Sequence, residues 1–224
     1  MVVVGGDAAG MSAASQARRR REPQELEIVA FERGWHTSYS ACGLPYYAGD
    51  VVKDWRRLVS SRPVNYHLGT IANKQGRVCG INIGGGYATF PGVLGTAVSK
   101  ICNVEVARTG LSEAELGRLG LGWESATVDS TTRAAYFPGA APIRTKVLAE
   151  RRSGRLLGGQ IVGREGAAKR IDVFATAIWN GMAVDEMVNL DLSYAPPFSP
   201  VWDPVLIAVR KLSEQVERTL RDCL

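Results

Sequence analysis

The chain has 224 residues and little that commits it to a bilayer, a metal or a disulfide framework. No apolar run approaches the roughly 20 residues that a membrane helix needs, so no membrane partner is expected. Met1 leads straight into Val2-Val3-Val4, with no basic stretch or small-residue cleavage pattern, and a cytoplasmic location is expected. The four cysteines, Cys42, Cys79, Cys102 and Cys223, have neither metal-ligand nor disulfide-framework spacing. His36 and His67 lack partners at metal or triad spacing, so neither a metal nor a catalytic histidine is expected. The charge excess is only +5 and comes mainly from Arg18-Arg19-Arg20-Arg21. No aromatics interleave with that run, so nucleic acid is not an expected partner. The run reads either as a solvated helix end, where cations complement the dipole, or as a hold on an anionic ligand. With 46% hydrophobic and 22% charged residues, the composition suits one large globular domain or two small ones.

What is present centres on Ser38-Tyr39-Ser40-Ala41-Cys42-Gly43-Leu44-Pro45-Tyr46-Tyr47. Pro45 suits the first turn of a helix and not its middle. Cys42 is thereby expected at or just before a helix N-terminus, where the dipole and unpaired N–H groups favour a thiolate. The bland alternative is a small buried thiol.

Before it, Val2-Val3-Val4 reads as an apolar strand, Gly5-Gly6-Asp7-Ala8-Ala9-Gly10 as a tight turn, and Met11 to Arg21 as a helix. Leu26 to Phe31 reads as a second strand, ending at Glu32. Strand, glycine turn, helix, strand and acid within about thirty residues suit a dinucleotide. The glycines would let the backbone approach a pyrophosphate at the helix N-terminus, and Glu32 would accept from a ribose. Asp7 departs from this pattern, because it stands where the middle glycine is expected. Ser12, Gln16 and Arg19 share one helix face, which is either simply wet or lines a second ligand's path.

These residues resemble the start of a pyridine nucleotide-disulfide oxidoreductase. The likeness runs from Val2 to Ala14, through Phe31-Glu32-Arg33, to Ser38–Tyr47. The similar branch is the single-cysteine group, coenzyme A-disulfide reductases and related NADH oxidases. The resemblance implies that Cys42 is the redox-active cysteine. It implies an FAD site at Gly5, Gly6, Asp7, Ala8, Ala9, Gly10, Glu32 and Arg33. It also implies coenzyme A contacts at Ser12, Gln16, Arg19 and Ser38. Ala41 stands where the branch commonly has asparagine. No second cysteine follows Cys42 five residues on, which argues against a dithiol pair.

Val51 to Pro63 continues the family pattern, and Asp54 to Val59 reads as a short amphipathic piece. The string that follows, Tyr66-His67-Leu68-Gly69-Thr70-Ile71-Ala72-Asn73-Lys74-Gln75-Gly76-Arg77, comes far later in the family. The chain thus looks internally deleted, with a seam near residues 63–67. A second glycine-rich βαβ unit and the late Gly-Asp strand of the FAD site are both missing from it. Ile71 to Ile83 reads as a helix, stopped at Gly84-Gly85-Gly86, with Cys79 as packing.

In the second half, Ala97 to Arg108 and Trp123 to Ser130 are strand-like, and Cys102 is expected in the core. Ser112 opens a short helix to Leu119, with Glu115 completing a capping box. Ile143–Glu150 and Leu156–Val162 flank a hairpin signal. Ala167, Ile171, Phe174, Ala175 and Ile178 recur at helical spacing up to Gly181, and Asp203-Pro204 opens a last helix running to about Arg221. The strings from Gly163 to Asp172 and from Tyr194 to Pro200 resemble the family's dimerisation domain. By that resemblance Tyr136 and Tyr194 cross to the partner's cysteine, where a phenol could protonate a leaving thiolate. The alternative for each tyrosine is interface packing, and Cys223 reads as incidental.

The expected fold class is α/β: a truncated FAD-binding unit over 1–95 and an α+β dimerisation domain over 96–224. The expected function, by resemblance, is FAD-dependent reduction of coenzyme A disulfide or a similar small disulfide by NADH or NADPH, in a homodimer. Loss of the NAD(P)H domain is expected to impair it and to leave FAD weakly held or absent. The competing expectation is a non-catalytic dimerising remnant or a thiol redox protein.

Overall fold

The computed structural model describes residues 1–33 and 68–222, which fall into two units, 1–33 with 68–93 and 94–222. The stretch Ser38–Tyr47 with Cys42, the piece Asp54 to Val59, the seam, both histidines and Cys223 lie outside the described residues.

In the first unit, β1 (Val2–Val4) runs parallel to β2 (Val29–Phe31), with Val3 opposite Ala30. Between them lies α1 (Ala8–Arg18). This helix starts three residues earlier than the composition suggested, because the glycine turn itself supplies its first turn. It also stops at Arg18, since Arg19 to Glu22 close back toward β2. Arg18 donates to the Leu26 carbonyl at 2.7 Å, and Arg21 to the Gly84 carbonyl at 3.1 Å. Two cations of the arginine run therefore act as internal ties. The second helix, α2 (Gly69–Ile83), lies along α1. A Cβ on Gly76 would stand 2.3 Å from the Ala9 carbonyl oxygen, and one on Gly80 would stand 2.4 Å from that of Ala13. Only glycine allows this backbone approach, and the alanine face of α1 meets it. Cys79 is exposed, not packed as expected, because the glycines occupy the buried face of α2.

The second unit is a five-stranded antiparallel sheet in the order β3-β4-β7-β6-β5. Its strands are β3 (Ala97–Ile101), β4 (Val104–Gly110), β5 (Trp123–Thr131), β6 (Pro142–Glu150) and β7 (Leu156–Gly163). The expected single strand from Ala97 to Arg108 is in fact a hairpin. Cys102 sits at its tip, exposed, with φ of 52°, so its expected place in the core was wrong. Four further elements are α3 (Glu113–Leu119), α4 (Ala167–Asn180), α5 (Val184–Met187) and α6 (Pro204–Asp222). Helices α4 and α6 cover one sheet face and bury Ile143, Val147, Ile161, Ile171, Phe174, Val205 and Leu212. Ala177, in place of the expected Ala175, completes the buried stripe of α4. A register shift between Leu148 and Ala149 leaves Leu157 without a partner on β6. Leu156 consequently faces the large core, whereas Leu157 joins Leu116 and Leu148 in a small cluster beneath α3. The expected capping box is present: Glu115 N–H donates to Ser112 Oγ, and the Glu115 carboxylate accepts from Ser112 N–H at 2.7 Å.

Candidate functional site

The expected site residues lie in both units. In the first, the turn after β1 carries Gly5 with φ of 99°, and its N–H donates to the Phe31 carbonyl at 2.8 Å. A Cβ on Gly10 would stand 2.0 Å from the Gly5 oxygen, so α1 presses its first turn onto the strand end. That close packing is what the last glycine of a dinucleotide turn provides. Ala8 and Ala9 open the helix, whose first N–H groups have no intrahelical partner. Asp7 is the N-cap, exposed, and its side chain makes no capping hydrogen bond. The Glu32 carboxylate lies at the end of β2 and accepts from Gly6 N–H at 2.5 Å. A ribose hydroxyl reaching Glu32 would therefore meet a carboxylate already held by the turn. Arg33 is exposed beside it.

One helical turn further on, Ser12, Gln16 and Arg19 line a cleft of about 440 Å³ along one side of α1. Ser15, Asn73 and Arg77 line it too, and Ser12 Oγ donates to Asn73 Oδ1. Asn73 and Arg77 were not singled out from the sequence. The available signal was the spacing of Gly76 and Gly80, which fixes the α2 face toward α1 and sets Asn73 and Arg77 along its margin. The two guanidinium groups give the cleft a cationic rim suited to phosphate or carboxylate. Ser38 and Cys42 lie outside the described residues.

In the second unit, Tyr136 stands on the loop between β5 and β6, and Tyr194 on the segment between α5 and α6. The two segments are joined by the Ala134 N–H, which donates to the Pro196 carbonyl at 3.1 Å. Tyr136 is 78% exposed and Tyr194 48% exposed. The phenols are nevertheless near enough to influence one another. Partial desolvation first, and then the neighbouring Tyr136 phenol, raise Tyr194 above the ordinary tyrosine value. The phenol thus keeps its proton across the neutral range. A protonated phenol exposed on a surface can donate to an incoming sulfur anion. Among the described residues no group of acids, histidines and cysteines could hold a metal, and no helix is long and apolar enough to cross a membrane.

A glycine-rich turn between two parallel strands and a helix-covered antiparallel sheet make this a mixed α/β chain. Residues 96–204 match the model of the pyridine nucleotide-disulphide oxidoreductase dimerisation domain. The chain thus carries a domain of the pyridine nucleotide-disulfide oxidoreductase family. It is 41% identical over 167 residues to the NAD(P)H coenzyme A polysulfide/persulfide reductase of Pyrococcus horikoshii, covering 75% of this chain and 37% of that protein. It is 30% identical over 155 residues to the coenzyme A disulfide reductase of Staphylococcus epidermidis, covering 69% of this chain and 35% of that one. Among solved structures, the NAD-dependent persulfide reductase from A. fulgidus superimposes with a TM-score of 0.71 at 41% identity, covering 75% of this chain and 31% of the other. The chain spans little more than a third of the length of these curated relatives.

Proposed function

We propose that this chain carries the thiol–disulfide half of a flavin-linked reduction of coenzyme A-type disulfides, with Cys42 as the redox-active sulfur. The observation that carries this reading is the cleft in which Ser12, Gln16 and Arg19 come together with Asn73 and Arg77. Its two guanidinium groups suit the phosphates of a polyanionic thiol. In the first half-reaction the Cys42 thiolate attacks one sulfur of the disulfide. A Cys42–coenzyme A mixed disulfide forms, and one coenzyme A thiolate leaves. The Tyr136 or Tyr194 phenol, supplied across a homodimer, donates a hydrogen bond or proton to that leaving sulfur. Ser38 would add a further contact to the ligand.

The turn residues Gly5, Gly6, Asp7, Ala8, Ala9 and Gly10, with Glu32 and Arg33, fit the pyrophosphate and ribose end of FAD. FAD, when bound, supplies the electron pair from NADH or NADPH that reduces the mixed disulfide. Gly5 and Gly10 would let the backbone approach the phosphates, and Glu32 would accept a hydrogen bond from the ribose. The domain plan is a truncated FAD-binding part over 1–95, with a seam near 63–67, and a dimerisation part over 96–224. With a single glycine-rich βαβ unit in this sequence, assigned here to FAD, NAD(P)H-driven turnover by these 224 residues alone is expected to be impaired. A reducing, cytoplasmic setting suits this chemistry. A second reading, a non-catalytic dimerising remnant or simple thiol redox protein, is favoured by the two-stranded sheet, which leaves Val2, Val4, Val29 and Phe31 exposed.

The test is anaerobic. Reduced full-length protein is mixed with coenzyme A disulfide and mapped by mass spectrometry, then given FAD and NADH or NADPH while flavin absorbance is followed. The expected result is one coenzyme A adduct on Cys42 and little bleaching. An adduct confined to Cys79 or Cys102 would overturn the reading, and no adduct at all would favour the remnant. Rapid stoichiometric bleaching of a tightly held flavin would overturn the impairment.

A further inference from the structure

We propose that Arg170 and Asp203 are positioning residues that clamp the Tyr136 and Tyr194 segments in one relative geometry and so keep their phenols together. This rests on the reading above, in which those phenols serve the sulfur chemistry. Arg170 projects from α4, and Asp203 precedes α6. Their side chains are only 11% and 12% exposed, and Arg170 Nε donates to Asp203 Oδ2 at 2.9 Å. The remaining guanidinium donors reach backbone. Nη1 donates to the Gly166 carbonyl at 2.9 Å. Nη2 donates to Thr132 O, at the root of the Tyr136 loop, and to Phe198 O, four residues past Tyr194, each at 2.9 Å. One nitrogen thus ties both tyrosine segments.

Asp203 secures the other side. Its Oδ1 accepts from Val205 N–H at 2.9 Å, capping α6, and its Oδ2 accepts from Ser199 Oγ at 3.0 Å. Within the Tyr136 loop, Thr132 N–H donates to Ala141 O at 2.8 Å, so the loop root moves as a closed unit. A buried ion pair is weak evidence for stability, because desolvation offsets the attraction. What this pair does specify is geometry. The planar guanidinium presents five N–H donors in a fixed fork, and here it reaches one carboxylate and three carbonyls together. A lysine nitrogen has three donors at a single point and cannot reach all four acceptors.

The experiment uses the full-length chain labelled with 13C at tyrosine Cζ, with the two resonances assigned from Tyr136→Phe and Tyr194→Phe. In the parent protein Tyr194 is expected to titrate above the free tyrosine value of about 10. In Arg170→Met its midpoint is expected to fall to that of Tyr194 in Tyr136→Phe, while thermal unfolding stays cooperative. Arg170→Lys, which keeps the charge, decides the matter if the methionine variant does not fold, and its Tyr194 midpoint is expected to fall as well. An unchanged Tyr194 midpoint in a folded Arg170 variant would overturn the clamp. The titration does not depend on Cys42. If Tyr136→Phe and Tyr194→Phe leave coenzyme A release from Cys42 unchanged, the functional reading fails while the titration still judges the clamp.

Discussion

The two units bury apolar surface by different means. Residues 94–222 lay two amphipathic helices on five strands, and the resulting core encloses Phe174, Ile161 and Leu212 completely. Residues 1–33 and 68–93 have two three-residue strands, with Val2, Val4, Val29 and Phe31 still exposed. Their cohesion comes from helix on helix, at glycine distance, and from arginine ties to backbone carbonyls. A two-stranded sheet is marginal by itself, whereas a broad sheet with helices on one face is self-sufficient. Stability is therefore expected to be uneven along the chain, with local opening concentrated in the first unit.

Removing the centre of the larger core is the strongest challenge to that contrast. Phe174→Ala should cost about 3–5 kcal/mol, read as a lower urea midpoint by far-UV circular dichroism. A loss below about 1 kcal/mol would mean that the larger core is not the main source of stability. The next challenge falls on the helix pair. A side chain at Gly80 must push into the Ala13 backbone, so Gly80→Val should cost about 1–3 kcal/mol within the first unit. Hydrogen exchange should then quicken over 8–18 and 69–83 and stay unchanged over 94–222. Equal quickening in both units would break the comparison. The smallest effect sharpens it: Ser112→Ala should lose about 1 kcal/mol, by removing the cap of α3. Burial opposes ionisation of Glu115, but hydrogen bonds from Ser112 and the charges of Arg108 and Arg118 outweigh it and hold the carboxyl below its ordinary value. A carboxyl depressed in the folded state stabilises above its unfolded pKa of about 4.3, and that contribution is lost as pH falls through the folded value. Thermal midpoints measured from pH 7 to pH 3 should show a shallower acid loss in Ser112→Ala than in the parent.

Much of this was legible because the signals are local. Ser112 and Glu115 spell a capping box within four residues, Gly181 ends α4, and Asp203-Pro204 opens α6. The hairpin at Cys102 was not legible. Its tip lacks glycine and cysteine seldom adopts the left-handed backbone, so Asn103 alone marked the break between β3 and β4. Helix α5 spans only Val184–Met187, too short for a periodicity to register. At the candidate site, the α1 face of Ser12, Gln16 and Arg19 followed from spacing alone. Asn73 and Arg77 required knowing which face of α2 turns toward α1. The meeting of Tyr136 with Tyr194, and of Arg170 with Asp203, depends on how α4 and α6 cross the sheet, which no spacing in the sequence encodes.

The glycine contact between α1 and α2 also has a kinetic consequence. Gly76 meets Ala9, and Gly80 meets Ala13, across 67 residues in each case (76 − 9 and 80 − 13). The turn joining β6 to β7 spans five residues, 151–155. Closing the longer span from the unfolded chain costs about 2 kcal/mol more conformational entropy, since closure grows as the logarithm of length. The sheet hairpins can thus zip from short turns, while the helix pair must await a distant encounter. The residues that line the cationic cleft are accordingly among the last to acquire their neighbours.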